Sequence, residues 1–112
     1  MIQQHIAELY YIAMNDKNID TVSSYFHQDI TFKSPTSSLS GKDAVVSAAK
    51  EYFNAFNSIK VNEIIGEKDK VAVLCETAFS IGNMSSISII NCQDNLIKSI
   101  ELFFDTGFFQ SK

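Results

Sequence analysis

The sequence predicts an α+β fold, with three N-terminal helices packed on one face of an antiparallel β-sheet. Two observations carry this. Apolar residues recur at three- and four-residue spacing in the first half, as on helical faces, and form strand-length runs from Ile59 onward. Gly, Asn and Asp clusters punctuate the second half at hairpin intervals, as in a meander. Helices followed by antiparallel strands is the α+β order, in which the helices cover one sheet face.

Ile2, Ile6, Leu9, Tyr10, Ala13 and Met14 define the apolar face of the first helix, which ends at Asn15-Asp16-Lys17-Asn18. Asn18 is the expected N-cap of a second helix, Ile19 to Phe26, with Asp20 in its first turn. Ile30-Thr31-Phe32-Lys33-Ser34 reads as a short strand stopped by Pro35. Gly41-Lys42-Asp43 opens the third helix, whose apolar face is Val45, Val46, Ala49, Tyr52, Phe53 and Phe56 and whose end is near Asn57. Strands follow over Ile59 to Ile65, Val71 to Ile81, Met84 to Cys92 and Leu96 to Phe104. Gly82-Asn83 and Gln93-Asp94-Asn95 are the expected turns between the last three.

With Gly82-Asn83 as a two-residue turn, Glu76 faces Ile89 and Cys75 faces Ile90, and the next turn brings Ile87 opposite Ile100. One sheet face then carries Ala72, Leu74, Glu76, Ala78, Ile87, Ile89, Ile100, Leu102 and Phe104. The other carries Val71, Val73, Cys75, Phe79, Met84, Ile90, Cys92, Ile97 and Phe103. A slip of one residue would exchange the two sets. The helices can cover the first face. The second is also half apolar and calls for a partner, so a homodimer is expected.

The 112 residues suffice for one domain, 1–112. A net charge of −4 argues against a cationic surface for nucleic acid or anionic lipid. No apolar run is long enough to cross a bilayer, and Met1-Ile2-Gln3-Gln4-His5 does not begin a secretory leader. Cys75 and Cys92 are too few for a disulfide scaffold, so reduced thiols in a cytoplasmic protein are expected. His5 and His27 form no zinc-binding spacing, and the four glycines form no phosphate loop; neither metal nor cofactor is expected. Nine Phe and four Tyr without Trp imply either a very aromatic core or a cavity walled with rings.

The segments Asn18-Ile19-Asp20-Thr21-Val22, Phe26-His27-Gln28-Asp29-Ile30-Thr31-Phe32, Pro35, Gly41-Lys42-Asp43-Ala44-Val45 and Ile97 to Asp105 stand in a characteristic order. Together they resemble the nuclear transport factor 2-like superfamily, in its SnoaL-like and ketosteroid-isomerase-like branches. The resemblance implies a single SnoaL-like domain whose curved sheet and helices enclose a cone-shaped pocket. It implies no single activity, because that fold hosts isomerases, cyclases, dehydratases, hydrolases and non-catalytic modules. Met14, Phe32, Phe53, Phe56, Ile87, Ile89, Ile100, Leu102 and Phe104 are the expected pocket residues.

Aligned on the isomerase pattern, Tyr10 takes the place of the catalytic tyrosine, but Ser34 stands where the base would be and the oxyanion acid falls near Ile87. The supporting tyrosines map to Phe26 and Ala49. Isomerisation by that triad is therefore not expected. The remaining candidates for acid–base chemistry are Glu76, Asp105 and Tyr10. Glu76 is mid-strand on the assigned pocket face, where desolvation would raise its pKa. Asp105 closes the last strand, where SnoaL-like cyclases carry an acid, although strict alternation points it away from the pocket and it can instead cap the turn at Thr106 or Gly107. The expected function is binding of a small hydrophobic molecule in an aromatic pocket, with cofactor-free acid–base activity if these groups converge. The alternative is a non-catalytic binding or dimerisation module whose pocket is filled by its own side chains.

Overall fold

In the computed structural model, which describes residues 2–110, α1 (Ile2–Asn15) buries Ile6, Tyr10, Ala13 and Met14 of the expected stripe together with Ala7 and Tyr11, while Ile2 is exposed and Leu9 half-buried. Lys17 then takes a left-handed backbone (φ 56°), and its ammonium donates to the Phe56 carbonyl at 2.6 Å while lying 4.7 Å from that ring's centre. This ties the end of α1 to the turn after the third helix. Asn18 caps α2 (Ile19–Ser24), its Oδ1 accepting the Thr21 N–H at 3.2 Å. β1 (Phe26–Lys33) starts four residues earlier than expected, because Phe26 is drawn into the core and pairs with Ile97. A short strand, β2 (Ser38–Ser40), pairs back on β1, and α3 (Lys42–Tyr52) opens at Gly41, whose φ of 93° favours glycine.

β3 (Ser58–Glu67), β4 (Lys70–Phe79), β5 (Gly82–Gln93) and β6 (Leu96–Phe104) form the antiparallel meander, and α4 (Gly107–Gln110) follows. The six-stranded sheet runs β2-β1-β6-β5-β4-β3, and β1 lies parallel to β6. Register shifts between Phe26 and Thr31, Val61 and Glu63, and Asn91 and Cys92 mark where strands bend. The helices pack into the sheet's inner side.

The sheet corrects the expected register twice. Ser80-Ile81, not Gly82-Asn83, forms the β4–β5 turn, with Phe79 opposite Gly82 and Glu76 opposite Ser85. That displacement is even, so the residues grouped on each face of β4 and β5 stay grouped. The second displacement is odd. Asp94-Asn95 forms a two-residue turn with both φ positive (56° and 62°), and Ile87 pairs with Phe103 rather than Ile100. This puts Ile100, Leu102 and Phe104 on the opposite side from Ile87 and Ile89.

The inner face therefore holds Val71, Val73, Cys75, Thr77 and Phe79 of β4, Met84, Ser86, Ser88 and Ile90 of β5, and Ile97 and Ile100 of β6, all buried. Ala72, Leu74, Glu76, Ala78, Ile87 and Ile89, expected inside, form the outer face with Phe103. The bulkier strip goes under the helices because it removes more apolar surface from water. Cys75 pairs with Ser86, well along the strand from Cys92, so the two free thiols are not neighbours as the expected register had them. Glu76, half-buried opposite Lys60 and Ser85, sits outside the core, and Glu76→Gln is expected to move the urea midpoint by less than about 0.5 kcal/mol of stability. Among the described residues the single ion pair, His5–Glu8 at 4.0 Å, is exposed, so burial rather than charge pairing holds the fold.

Candidate functional site

The helices do not fill the space over the inner face. α3 presents Val45, Ala48, Ala49 and Tyr52 to the sheet, and Ala55 follows; these small residues leave a cavity of about 570 Å³. Its floor is Tyr10, Tyr11 and Met14 of α1 with Phe26, Cys75, Thr77, Met84, Ser86 and Ile100 of the sheet, all buried. Phe32, Leu39, Ile59, Leu102 and Phe104 form an apolar belt. Ser34, Thr36 and Ser37 on one side and Ser80 and Ile81 on the other form the mouth; all but the half-buried Ser34 are exposed.

Of the expected pocket residues, Met14, Phe32, Ile100, Leu102 and Phe104 line the cavity, as does Tyr10. Phe53 and Phe56 are buried behind the wall, packed ring to ring with centroids 6.2 Å apart. Ile87 and Ile89 lie on the outer face, where the odd register displacement puts them, and Ile87 is 44% exposed. Glu76 shares that face. Asp105 is exposed past the end of β6, and its Oδ1 accepts the Gly107 N–H at 2.9 Å, so it shapes the turn into α4. The three candidates for chemistry are thus not brought together. The floor residues Cys75, Thr77, Met84 and Ser86 were expected on the other face or not singled out, and the alanines of α3 carry no chemical signal; their smallness is what makes the cavity.

Among the described residues no Asp, Glu, His, Lys or Arg lines the cavity. Its polar groups are neutral. Tyr11 and Ser88 hydroxyls share a hydrogen bond of 2.7 Å, and Tyr11 also bonds Cys75. Tyr52 bonds Thr77. Tyr10 packs against Tyr11 (centroids 4.8 Å) and Phe26 (5.7 Å), and no hydrogen bond to its hydroxyl is found among the described residues. Yet no fully buried side-chain oxygen among those residues lacks a partner, so the Tyr10 hydroxyl opens onto the cavity.

Burial pushes the Tyr10 and Tyr11 hydroxyls well above the ordinary phenol range, with the neighbouring Tyr and Cys75 adding to the shift. Burial also raises Tyr52, and the Thr77 hydrogen bond offsets part of that. The Cys75 thiol is pushed up by burial to about 11, against a partial offset from Tyr11. All of these groups are uncharged at neutral pH. Because each folded value exceeds the unfolded one, their contribution to stability is complete below the ordinary thiol value of 9.0 and is lost as pH rises through about 11 for Cys75. The urea midpoint is expected to fall across that window, and to fall less in Cys75→Ala. An identical fall in the variant would mean that Cys75 is already ionised or solvated in the folded chain.

Among the described residues no group of three or more His, Cys, Asp or Glu is placed to hold a metal ion, and no helix is long and apolar enough to cross a membrane.

Solved structures share this architecture at low identity. An NTF2-like protein of unknown function from Cytophaga hutchinsonii is 13% identical, with a TM-score of 0.86 over 96% of this chain and 94% of its own. An LEH-like epoxide hydrolase from M. tuberculosis is 14% identical, with a TM-score of 0.82 over 97% of this chain and 87% of its own. A de novo designed protein with a curved β-sheet is 14% identical, with a TM-score of 0.88 over 98% of this chain and 90% of its own. Likeness at such identity establishes the fold alone. A comparison with curated proteins gives no match. The family model for the SnoaL-like domain matches residues 7–92, most of the chain, including α1 from Ala7, α3 and most of the meander, and the chain belongs to that family.

Proposed function

We propose that this protein binds a small, uncharged hydrophobic molecule in the cavity, without acid–base chemistry of its own. The observation that carries the reading is a cavity of about 570 Å³ with no charged side chain among the described residues of its wall. A volume of this size and an apolar, ring-rich lining suit a compact organic ligand. Burying a charged ligand here would leave its charge unpaired, which is costly. Opening an epoxide with water, or moving a proton to and from carbon, calls for a group that gains and loses protons near neutrality. Tyr10, Tyr52 and Cys75 hold theirs too tightly for that, and Glu76 and Asp105 lie elsewhere. Tyr10 contributes selectivity: an open hydroxyl in an apolar wall favours a ligand that offers a neutral acceptor such as a ketone or ether oxygen.

Nile red fluorescence, with displacement by phenylcyclohexane and by the ketone phenylcyclohexanone, tests this. One site per chain is expected, with the ketone bound about three- to tenfold more tightly than the hydrocarbon. Tyr10→Phe should remove the ketone's advantage and leave the hydrocarbon's affinity unchanged. Absence of saturable binding by either compound would overturn the reading.

The outer face supports a second part of the proposal, a homodimer. Leu74, Ile87 and Phe103 form a direct cross-strand row, flanked by Ala72, Ile89 and Ile65. Ile65, Ile87 and Phe103 are 52%, 44% and 47% exposed, a contiguous apolar strip that a second copy would cover. An interface of roughly 1,600 Å² in total would suffice. Light scattering should report twice the 12.5 kDa chain mass, and Phe103→Asp should return it to one chain. A single-chain mass for the unaltered protein at micromolar concentration would refute the dimer.

A further inference from the structure

The mouth of the cavity differs in chemistry from its belt, and this difference bears on the far end of the ligand. Ser34, Thr36 and Ser37 come from the loop joining β1 to β2, and Ser80 from the β4–β5 turn. The loop is organised around one oxygen. Ser34 Oγ accepts the N–H groups of Thr36 (3.3 Å) and Ser37 (3.2 Å) and lies 3.4 Å from Thr36 Oγ1 and 3.1 Å from Ser37 Oγ. The Ser34 N–H donates to the Ser37 carbonyl at 2.9 Å, closing the loop, and Lys33 pairs with Ser38 at its base. The Thr36 and Ser37 hydroxyls are therefore held at the rim rather than left to swing. Ser34 has a single proton to give, so at most one of the two accepts from it and keeps its own proton free; a hydroxyl that donates to Ser34 keeps acceptor capacity only. Across the mouth, Ser80 adds another exposed hydroxyl.

Inward from this rim the walls are Phe32, Leu39, Leu102 and Phe104, and beyond them the neutral polar groups are Tyr10, Thr77 and Ser86 of the floor and Tyr52 of α3. Among the described residues the cavity is thus polar at both ends, apolar along this wall, and free of charged side chains.

We propose that the ligand is a two-ended neutral amphiphile, with an acceptor oxygen on the floor and a hydroxyl or similarly uncharged polar group received at the mouth by Thr36, Ser37 and Ser80. The inference rests on the ligand-binding reading above and goes beyond it in assigning the chemistry of the outer end. A hydroxyl matches the rim because the rim offers both donors and acceptors. A carboxylate accepts only, and finds no cation among the described lining residues. Because the loop is already ordered by its own hydrogen bonds, little freedom is lost when the ligand's outer group docks.

Three probes with a common core separate the outcomes: phenylcyclohexanone, its analogue with a phenolic hydroxyl para to the ring junction, and the analogue with a carboxylate there. At pH 7 the phenol is expected to bind about threefold or more tightly than the parent ketone, and the carboxylate no more tightly than the parent. The combined variant Thr36→Val, Ser37→Ala and Ser80→Ala should bring the phenol to the affinity of the parent ketone measured in the same variant. If the parent binds and the phenol gains nothing, or the gain survives the combined variant, this inference falls and the ligand-binding reading stands. A carboxylate that outbinds the phenol would also overturn it. If the parent ketone itself fails to bind, the ligand-binding reading falls and takes this one with it.

Discussion

Ala49→Phe is expected to abolish Nile red binding, by tenfold or more, in a chain that still folds. Ala49 projects from α3 into the cavity, so a benzyl side chain there enters empty space instead of displacing packed neighbours. The usual cost of enlarging a core residue comes from forcing neighbours off their rotamers, and a cavity of about 570 Å³ relieves most of it. Burying the added ring should leave the urea midpoint level or higher. Undiminished binding by the folded variant would place the hydrophobic site somewhere other than this cavity.

Phe26→Ala should cost about 3–5 kcal/mol, among the largest losses any single change here can produce. Phe26 is 1% exposed, its ring lies 5.7 Å from Tyr10, and its backbone marks the point where β1 meets β6. The adjacent Tyr25 carbonyl accepts the Ile97 N–H at 2.7 Å. Emptying this position widens the cavity floor and loosens the parallel strand pair together. Against a total stability of roughly 5–15 kcal/mol, such a loss would leave a large share of molecules unfolded at 37 °C. Urea unfolding followed by circular dichroism measures it; a loss below about 1 kcal/mol would mean the ring is not part of the packed core.

The helices were legible because their signal is local: Ile6, Tyr10, Ala13 and Met14 fall on one side of α1 whatever the rest of the chain does. The partition of β4 and β5 was legible for the same reason, since Val71, Val73, Cys75 and Phe79 alternate with Ala72, Leu74, Glu76 and Ala78 in any register. Which strip faces the helices was not, because both are apolar and only packing decides between them. The phase of β6 depended on a turn at Asp94-Asn95 and a register shift beside Cys92, two small backbone events that reverse every side chain beyond them. That reversal removed Ile87 and Ile89 from the cavity. The cavity itself arises from what is missing, as Ala48, Ala49 and Ala55 stand where larger residues would have closed it. A sequence does not distinguish an alanine that packs from one that leaves room.

Six of the nine phenylalanines divide between the two readings that composition left open. Phe26, Phe32, Phe79 and Phe104 wall the cavity, while Phe53 and Phe56 fill the core behind it. Phe103 does neither and belongs to the outer strip.

The pairing of β1 with β6 has a consequence for how the chain assembles. Phe26 and Ile97 meet across the sheet from segments far apart in sequence, so β1 stays an unpaired strand on that side until β6 has been synthesised. The β3–β4–β5–β6 hairpins can zip from local contacts, whereas the step that closes the floor must bring distant segments together and is the slow one. On the ribosome, α1, α2 and β1 emerge first and wait with Phe26 and Ile30 uncovered. A nascent chain stalled before Leu96 should therefore be readily cleaved by protease within β1, and lengthening the exposed chain past Phe104 should protect it. The cavity is then the last part of this fold to form, complete only after β6 has emerged.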